Sequence, residues 1–247
     1  MHFETVLNSK SLTRLVTIHV GMYLTRPWFV CLMTSQLIKE ISFENASVIC
    51  KDCRSKAMTC NDFRGIAISS AMFKLFELCI LERFKLYFAT EDNQFGFKKG
   101  LGCTHAIYTV QNIVNQLVKG GSTVNLCALD LTKAFGKTNH HALFIKLMKR
   151  YLPVDVLDTL EYWLSNNWSC VKWFNIYSPS FKICFGVRQG SVLSPFLFAV
   201  YLDDLIDRRI DGRFYYIVLY ADDILLISSS VRELQILLNT CEREFKW

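Results

Sequence analysis

Apolar and polar positions divide the chain into short β-branched or aromatic runs and longer amphipathic stretches, the pattern of a protein that mixes helices with sheet. The pattern is sharpest over residues 214–227. There Phe214-Tyr215-Tyr216-Ile217-Val218-Leu219-Tyr220 and Ile224-Leu225-Leu226-Ile227 flank Ala221-Asp222-Asp223. Both runs are too short for helices and rich in strand-forming residues, so they predict a hairpin whose turn holds Ala221, Asp222 and Asp223. Because the runs are apolar almost throughout, the strands are expected to be covered on at least one face and partly on the other. Two adjacent carboxylates on a fixed ribbon repel each other, and either take up a proton or hold a divalent cation. For the dipeptide by itself, a solvated Asp-rich turn is the plain alternative.

Residues 1–45 carry no usable motif. From Ala46 a strand-like run leads through a polar loop to Arg64, which precedes a second strand-like run; Phe73, Phe76, Ile80, Phe84 and Tyr87 then recur at helical spacing with Lys74 on the first turns. Arg64 and Lys74 read either as solvated charges or as a pair converging on a triphosphate. Gln94-Phe95-Gly96-Phe97-Lys98-Lys99-Gly100 interleaves rings with lysine, which suits a single strand's bases and phosphates or a plain loop. A helix is expected over 104–119, closed by Gly120-Gly121. A strand over 123–131 should carry Asp130 near its end, followed by a helix with Phe144, Leu147, Met148 and Tyr151 on one face. Gly136-Lys137-Thr138 is no phosphate loop, because its first glycine would fall on Leu131. Pro153 should open a helix through Leu157, Leu160 and Leu164, and residues 169–187 read as a hairpin turned at Ser178-Pro179-Ser180.

The stretch 186–195 ends in Ser194-Pro195, an expected N-cap and first-turn proline for a helix over 196–207. Glycines on both sides of Arg188-Gln189 let the backbone approach a flat ligand, although a turn before a helix explains them equally well. Ser230 and Glu233 match a capping box for a last helix with Leu234, Leu237, Leu238, Cys241 and Phe245 inward.

Composition narrows the class. With 247 residues, 51% hydrophobic and 20% charged, the chain can bury a core and is not a disordered tail. Its 28 Lys and Arg against 22 Asp and Glu give a net charge of +6, which suits a polyanionic partner. The ten cysteines are scattered among apolar residues, as reduced thiols are, and point to a reducing, intracellular compartment, with nucleus and cytoplasm both open. Cys50, Cys53 and Cys60 lack a fourth zinc ligand at a usual spacing, the nearest later candidates being Cys103 and His105. The apolar stretch 15–24 has Glu4 upstream and Arg26-Pro27 where a cleavage site would stand, so it is not read as a signal peptide. No apolar run reaches about 18 residues, and no membrane span is expected.

Taken in order, these stretches resemble the reverse transcriptase domain of non-LTR, LINE-type retrotransposons, particularly CR1/L2-like elements. The resemblance runs from about Ala46 to the C-terminus and rests on Leu129-Asp130-Leu131-Thr132-Lys133-Ala134-Phe135 (motif A), residues 186–195 (motif B) and Tyr220-Ala221-Asp222-Asp223 (motif C). It implies an α+β fold, the fingers and palm of a right-hand polymerase, truncated before the thumb. Residues 1–45 would be unassigned, 46–122 fingers-like and 123–247 palm-like. The implied activity is RNA-directed DNA polymerisation by two-metal nucleotidyl transfer to a primer 3′-hydroxyl, with Mg²⁺, or Mn²⁺ in its place, as cofactor. An RNA template, a DNA primer and deoxynucleoside triphosphates are the implied partners. By resemblance Asp130 and Asp222 are metal ligands, Asp223 is a supporting catalytic acid, and Phe135 is a steric gate against the ribose 2′-hydroxyl. Arg64 and Lys74 would contact the triphosphate, and Gln189 and Gly190 the nucleotide and template. The family usually has Asp after the gate aromatic, where this chain has Gly136, expected to loosen the backbone there. Further palm strands and a thumb are not among the 247 residues, so weak activity of the chain by itself is expected. The rival reading is a catalytically inactive remnant that at most binds nucleic acid.

Overall fold

The computed structural model describes residues 43–50, 63–131, 133–205 and 215–245. The segment 1–42, with its apolar stretch, and Cys53 and Cys60 of the cysteine cluster lie outside the described residues. Among the described residues, strands form two sheets. In the first, β1 (Phe43–Cys50) pairs antiparallel with β2 (Phe63–Ile68), and β4 (Trp168–Trp173) lies on its other side, carrying the short β5 (Ile176–Tyr177) and β6 (Phe181–Lys182). The second has the order β3 (Asn125–Asp130), β8 (Asp223–Ser228), β7 (Tyr215–Tyr220), antiparallel throughout.

The predicted hairpin is β7–β8, with β8 in the central and β7 in an edge position of that sheet. Ile217, Val218 and Leu219 are buried in succession, as are Leu226, Ile227 and Ser228, so both faces are covered along much of the ribbon. On one face helix α2 (Cys103–Lys119) brings Ala106 and Ile113 onto Val218 and Ile227; on the other, helix α6 (Val231–Glu244) packs against β8 and β3, with Cys241 near Cys127. A second apolar mass joins helices α3 (His140–Lys149), α4 (Val154–Ser165) and α5 (Ser194–Asp203) through Leu143, Leu147, Leu160, Leu197 and Phe198, none more than 1% exposed. Each fully buried leucine contributes about 2 kcal/mol of transfer free energy. Helix α1 (Ala71–Phe84) runs on into a 3₁₀ turn, Lys85–Phe88, and joins this core through Phe73, whose ring lies 5.2 Å from that of Trp163.

Several element ends differ from the sequence expectation. Arg64 lies inside β2, not ahead of it. The inward face of α3 is Leu143 and Leu147, and Met148, on another side of the helix, is exposed; Tyr151 is exposed because the helix stops at Lys149 and Tyr151 turns left-handed at φ 59°. The first turn after β4 falls at Phe174-Asn175, and Ser178-Pro179-Ser180 merely connects β5 to β6. Ser194 is the first residue of α5 and not its cap; its N–H donates to Ser191 Oγ at 3.1 Å. Ser230 makes no side-chain cap on α6, and Glu233 instead accepts from Ser228 Oγ at 2.9 Å. His105, one of the late zinc candidates, caps α2 by accepting from the Gly102 N–H. Among the described residues no helix is long and apolar enough to cross a membrane.

Candidate active site

Strand β3 ends on Asp130, and the β3–β8 register sets Asp130 directly across from Asp223. Residues opposed in an antiparallel pair put their side chains on the same face about 5 Å apart, so these carboxylates are neighbours although far apart in sequence. Tyr220 also pairs with Asp223, which leaves Ala221 and Asp222 as a two-residue loop. Asp223 is therefore the first residue of β8, and the turn proper carries Asp222. Ala221 has φ 57°. A side chain in that left-handed region costs about 1–2 kcal/mol, and tight hairpins usually place glycine there. Phe97 (φ 62°) and Lys133 (φ 57°) repeat the strain nearby, and strained backbone held by its surroundings is a feature of functional sites.

Asp130 and Asp223 are exposed and Asp222 is half-buried. Among the described residues none of the three carboxylates has a hydrogen-bond or ion-pair partner, the ion pairs being Lys146 with Asp204 and Arg150 with Asp203. No group of three His, Cys, Asp or Glu side chains is closely enough set to make a preformed metal cage among the described residues. The arrangement is an open pair of acids with a third beside it, a donor set of hard oxygens with negative charge left uncompensated.

Phe135 sits in a 3₁₀ turn, Ala134–Lys137, directly after this strand end. Its ring stacks on Phe198 at 4.7 Å and meets Phe97 edge-on at 6.0 Å. The Phe135 carbonyl accepts from the Val187 N–H at 2.7 Å, and the Thr138 carbonyl from the Gly186 N–H at 2.9 Å, so the start of stretch 186–195 is laced to the end of motif A. Gly186, at φ 84°, lies so close to Gly136 that a Cβ on it would stand 2.7 Å from the Gly136 Cα.

The other end of stretch 186–195 is fixed from two sides. Ala67 of β2 donates to the Gln189 carbonyl at 2.8 Å, and Gly190, at φ 112°, leaves no room for a Cβ against the Ala67 carbonyl. From α1 the fully buried Glu77 accepts from Ser191 Oγ and from the Val192 N–H, each at 2.6 Å. Burial raises the Glu77 pKa, with those hydrogen bonds and the Arg188 charge opposing it. Arg188 turns inward, its guanidinium 4.5 Å from the Phe73 ring and 4.9 Å from that of Trp163, whereas Gln189 and Gly190 remain exposed. Arg64 and Lys74 are exposed on β2 and α1, the two elements that hold this loop.

Sequence reasoning missed Glu77 and Gln94. Both are polar residues at 0% exposure whose role comes from partners more than 100 positions away, and no local pattern signals that.

Residues 51–247 match a family model described as reverse transcriptase (RNA-dependent DNA polymerase). The chain is 30% identical over 176 residues to a probable RNA-directed DNA polymerase from transposon BS of Drosophila melanogaster, a span of 68% of this chain and 19% of that protein. It is 27% identical over 199 residues to the RNA-directed DNA polymerase from mobile element jockey of the same fly, covering 76% of this chain and 22% of that protein. The chain thus spans about a fifth of these relatives. Among solved structures it is similar to telomerase from Candida tropicalis in complex with a TWJ fragment of telomeric RNA, at TM-score 0.59 and 10% identity over 81% of this chain and 38% of that one. At that identity the likeness is one of fold.

Proposed function

Because the chain belongs to the reverse transcriptase family, we propose that its three acids serve templated addition of deoxynucleotides to a DNA primer on an RNA template. The observation that carries this reading is the meeting of three distant stretches: Asp130 across from Asp223, Phe135 bonded to Val187, and Gln189 bonded to β2. In this reading residues 46–122 form the fingers part and 123–247 the palm part.

Asp130 and Asp222 hold divalent ions, Mg²⁺ or Mn²⁺ in its place, and Asp223 supports them from across β3. The uncompensated carboxylates fit hard cations, which prefer oxygen donors. When bound, such ions activate the primer 3′-hydroxyl and neutralise charge on the departing pyrophosphate. The remaining residues position and select. Phe135, backed by Phe198, presents bulk where a ribose 2′-hydroxyl would stand. Arg64 and Lys74 bind the triphosphate as cations free of ion-pair partners among the described residues. Gln189 and Gly190 offer a flat, exposed edge to the nucleotide and template.

The test is single-nucleotide addition to a primed RNA template with the chain in excess over primer. The parent should add the complementary deoxynucleotide only with Mg²⁺ or Mn²⁺. Asp130→Asn and Asp222→Asn should each lose it, and Asp223→Asn should retain a fraction. Addition indifferent to Asp130→Asn and Asp222→Asn would refute the assignment, and retention of RNA–DNA duplex without any addition would favour the non-catalytic reading.

A further inference from the structure

We propose that Gln94 is a positioning residue for the acid-bearing turn: its side-chain carbonyl holds Ala221 in the left-handed conformation and thereby fixes where Asp222 and Asp223 stand. The proposal rests on the reading of those acids as metal ligands.

Residues 93–96 run beside the edge strand β7 as one further, very short strand. The Leu219 N–H donates to the Asn93 carbonyl at 2.9 Å, the Phe95 N–H donates to the Leu219 carbonyl at 2.8 Å, and Gln94 bridges Leu219 in parallel. Backbone pairing ends there, before the turn. The turn is reached by a side chain instead. Gln94 Oε1 accepts from the Gly96 N–H at 2.9 Å and from the Ala221 N–H at 3.3 Å, tying the two backbones through one oxygen. Gly96 completes the fit, since a Cβ there would fall on the Ala221 backbone nitrogen and stand 2.9 Å from its Cα.

The chemistry of Gln94 argues against simple core filling. Its side chain is 0% exposed, and its Nε2 has no hydrogen-bond partner among the described residues. A buried amide with an orphaned donor is costly, and methionine or leucine would fill the same volume without that cost. The polar side chain is retained for its carbonyl, and the carbonyl points at the strained residue of the turn. The strain needs such support, because a left-handed alanine reverts unless its surroundings hold it. The two acids follow Ala221 directly in sequence, so the position of its peptide sets theirs. Residues that orient metal ligands typically change metal affinity about 10–100-fold when replaced.

The experiment uses the full chain with Gln94→Met, which keeps bulk and removes the acceptor, and Gln94→Glu, which keeps it. Hydrogen–deuterium exchange over 219–223 reads the brace, and Mn²⁺ titration followed by electron paramagnetic resonance reads its consequence. Gln94→Met should speed exchange at Ala221 while leaving exchange in β8 close to the parent's, and weaken Mn²⁺ binding about tenfold or more. Gln94→Glu should recover most of both. Unchanged exchange in Gln94→Met overturns the brace. Faster exchange with unchanged Mn²⁺ affinity overturns the positioning role, and so does equal loss of affinity in Gln94→Glu and Gln94→Met. If Asp130→Asn removes Mn²⁺ binding and Gln94→Met does not, the metal reading stands without this proposal. If the parent binds no Mn²⁺, the metal reading falls and the positioning role falls with it.

Discussion

Gly136 and Phe135 adjoin in sequence and carry opposite demands. The expectation that glycine loosens the backbone behind the gate does not match the bonding around it, because the Phe135 and Thr138 carbonyls on either side are both hydrogen-bonded to stretch 186–195. A Cβ at Gly136 would meet nothing within 4 Å, and its φ is not left-handed; it is Gly186 whose missing side chain the fold requires. Gly136→Ala should therefore raise stability by about 0.4–1 kcal/mol through the unfolded chain's lost freedom, and Gly136→Asp should be tolerated, both read by urea unfolding. A loss of stability in Gly136→Ala would mean that the position needs glycine after all. Phe135 discriminates, on the gate reading, by bulk alone. Phe135→Val should admit ribonucleotides much better while sparing deoxynucleotide use, measured as the ratio of kcat/KM values. Its stacking on Phe198 sets the cost of that change at about 1 kcal/mol of stability. Equal loss of both substrates would make Phe135 ordinary core. At this scale the position of Asp222 and Asp223 at the hairpin end was legible because the two stand side by side between apolar runs, whereas the burial of Glu77 and Gln94 was not, since for a lone polar residue it is decided by partners far along the chain.

At the scale of elements, the β7–β8 hairpin could be read because two apolar runs and a polar pair leave one way to fold. The capping serines depart from the sequence expectation because nearby polar partners compete for them: the Ser194 N–H donates to Ser191 Oγ, itself bonded to Glu77, and Ser230 stays at the start of the last helix without a side-chain cap while Glu233 accepts from Ser228. The turn after β4 was misplaced because Ser178-Pro179-Ser180 is the louder signal, while Phe174 takes φ 52° in a turn that only Asn175 advertises. Glu77 gives this scale a pH dependence. Its pKa is raised in the fold, chiefly by burial. A carboxyl group so shifted stabilises the fold fully below its ordinary range, and that contribution is lost as pH rises through the raised value. Thermal midpoints measured from about pH 4 to about pH 8 should thus fall in the parent relative to Glu77→Gln as pH increases. A constant difference between the two proteins would show that Glu77 titrates alike in the folded and unfolded chains.

Across the whole molecule the sequence carried the order of the motifs but not their convergence. Register did that work: β3 pairs with β8 so that Asp130 meets Asp223, and the loop 186–195 is held by bonds from motif A, β2 and α1 at once. None of these pairings follows from local periodicity, because each closes more than 40 residues of chain. The account therefore stands on one geometric claim, that Asp130 and Asp222 together hold the metals of nucleotidyl transfer. Its most direct test is anomalous diffraction from crystals of the chain soaked in Mn²⁺ with a deoxynucleoside triphosphate. The account predicts two peaks about 4 Å apart, both within ligand distance of Asp130 and Asp222 and both lost in Asp130→Asn. Peaks elsewhere on the surface, or two occupied sites that survive Asp130→Asn, would contradict it.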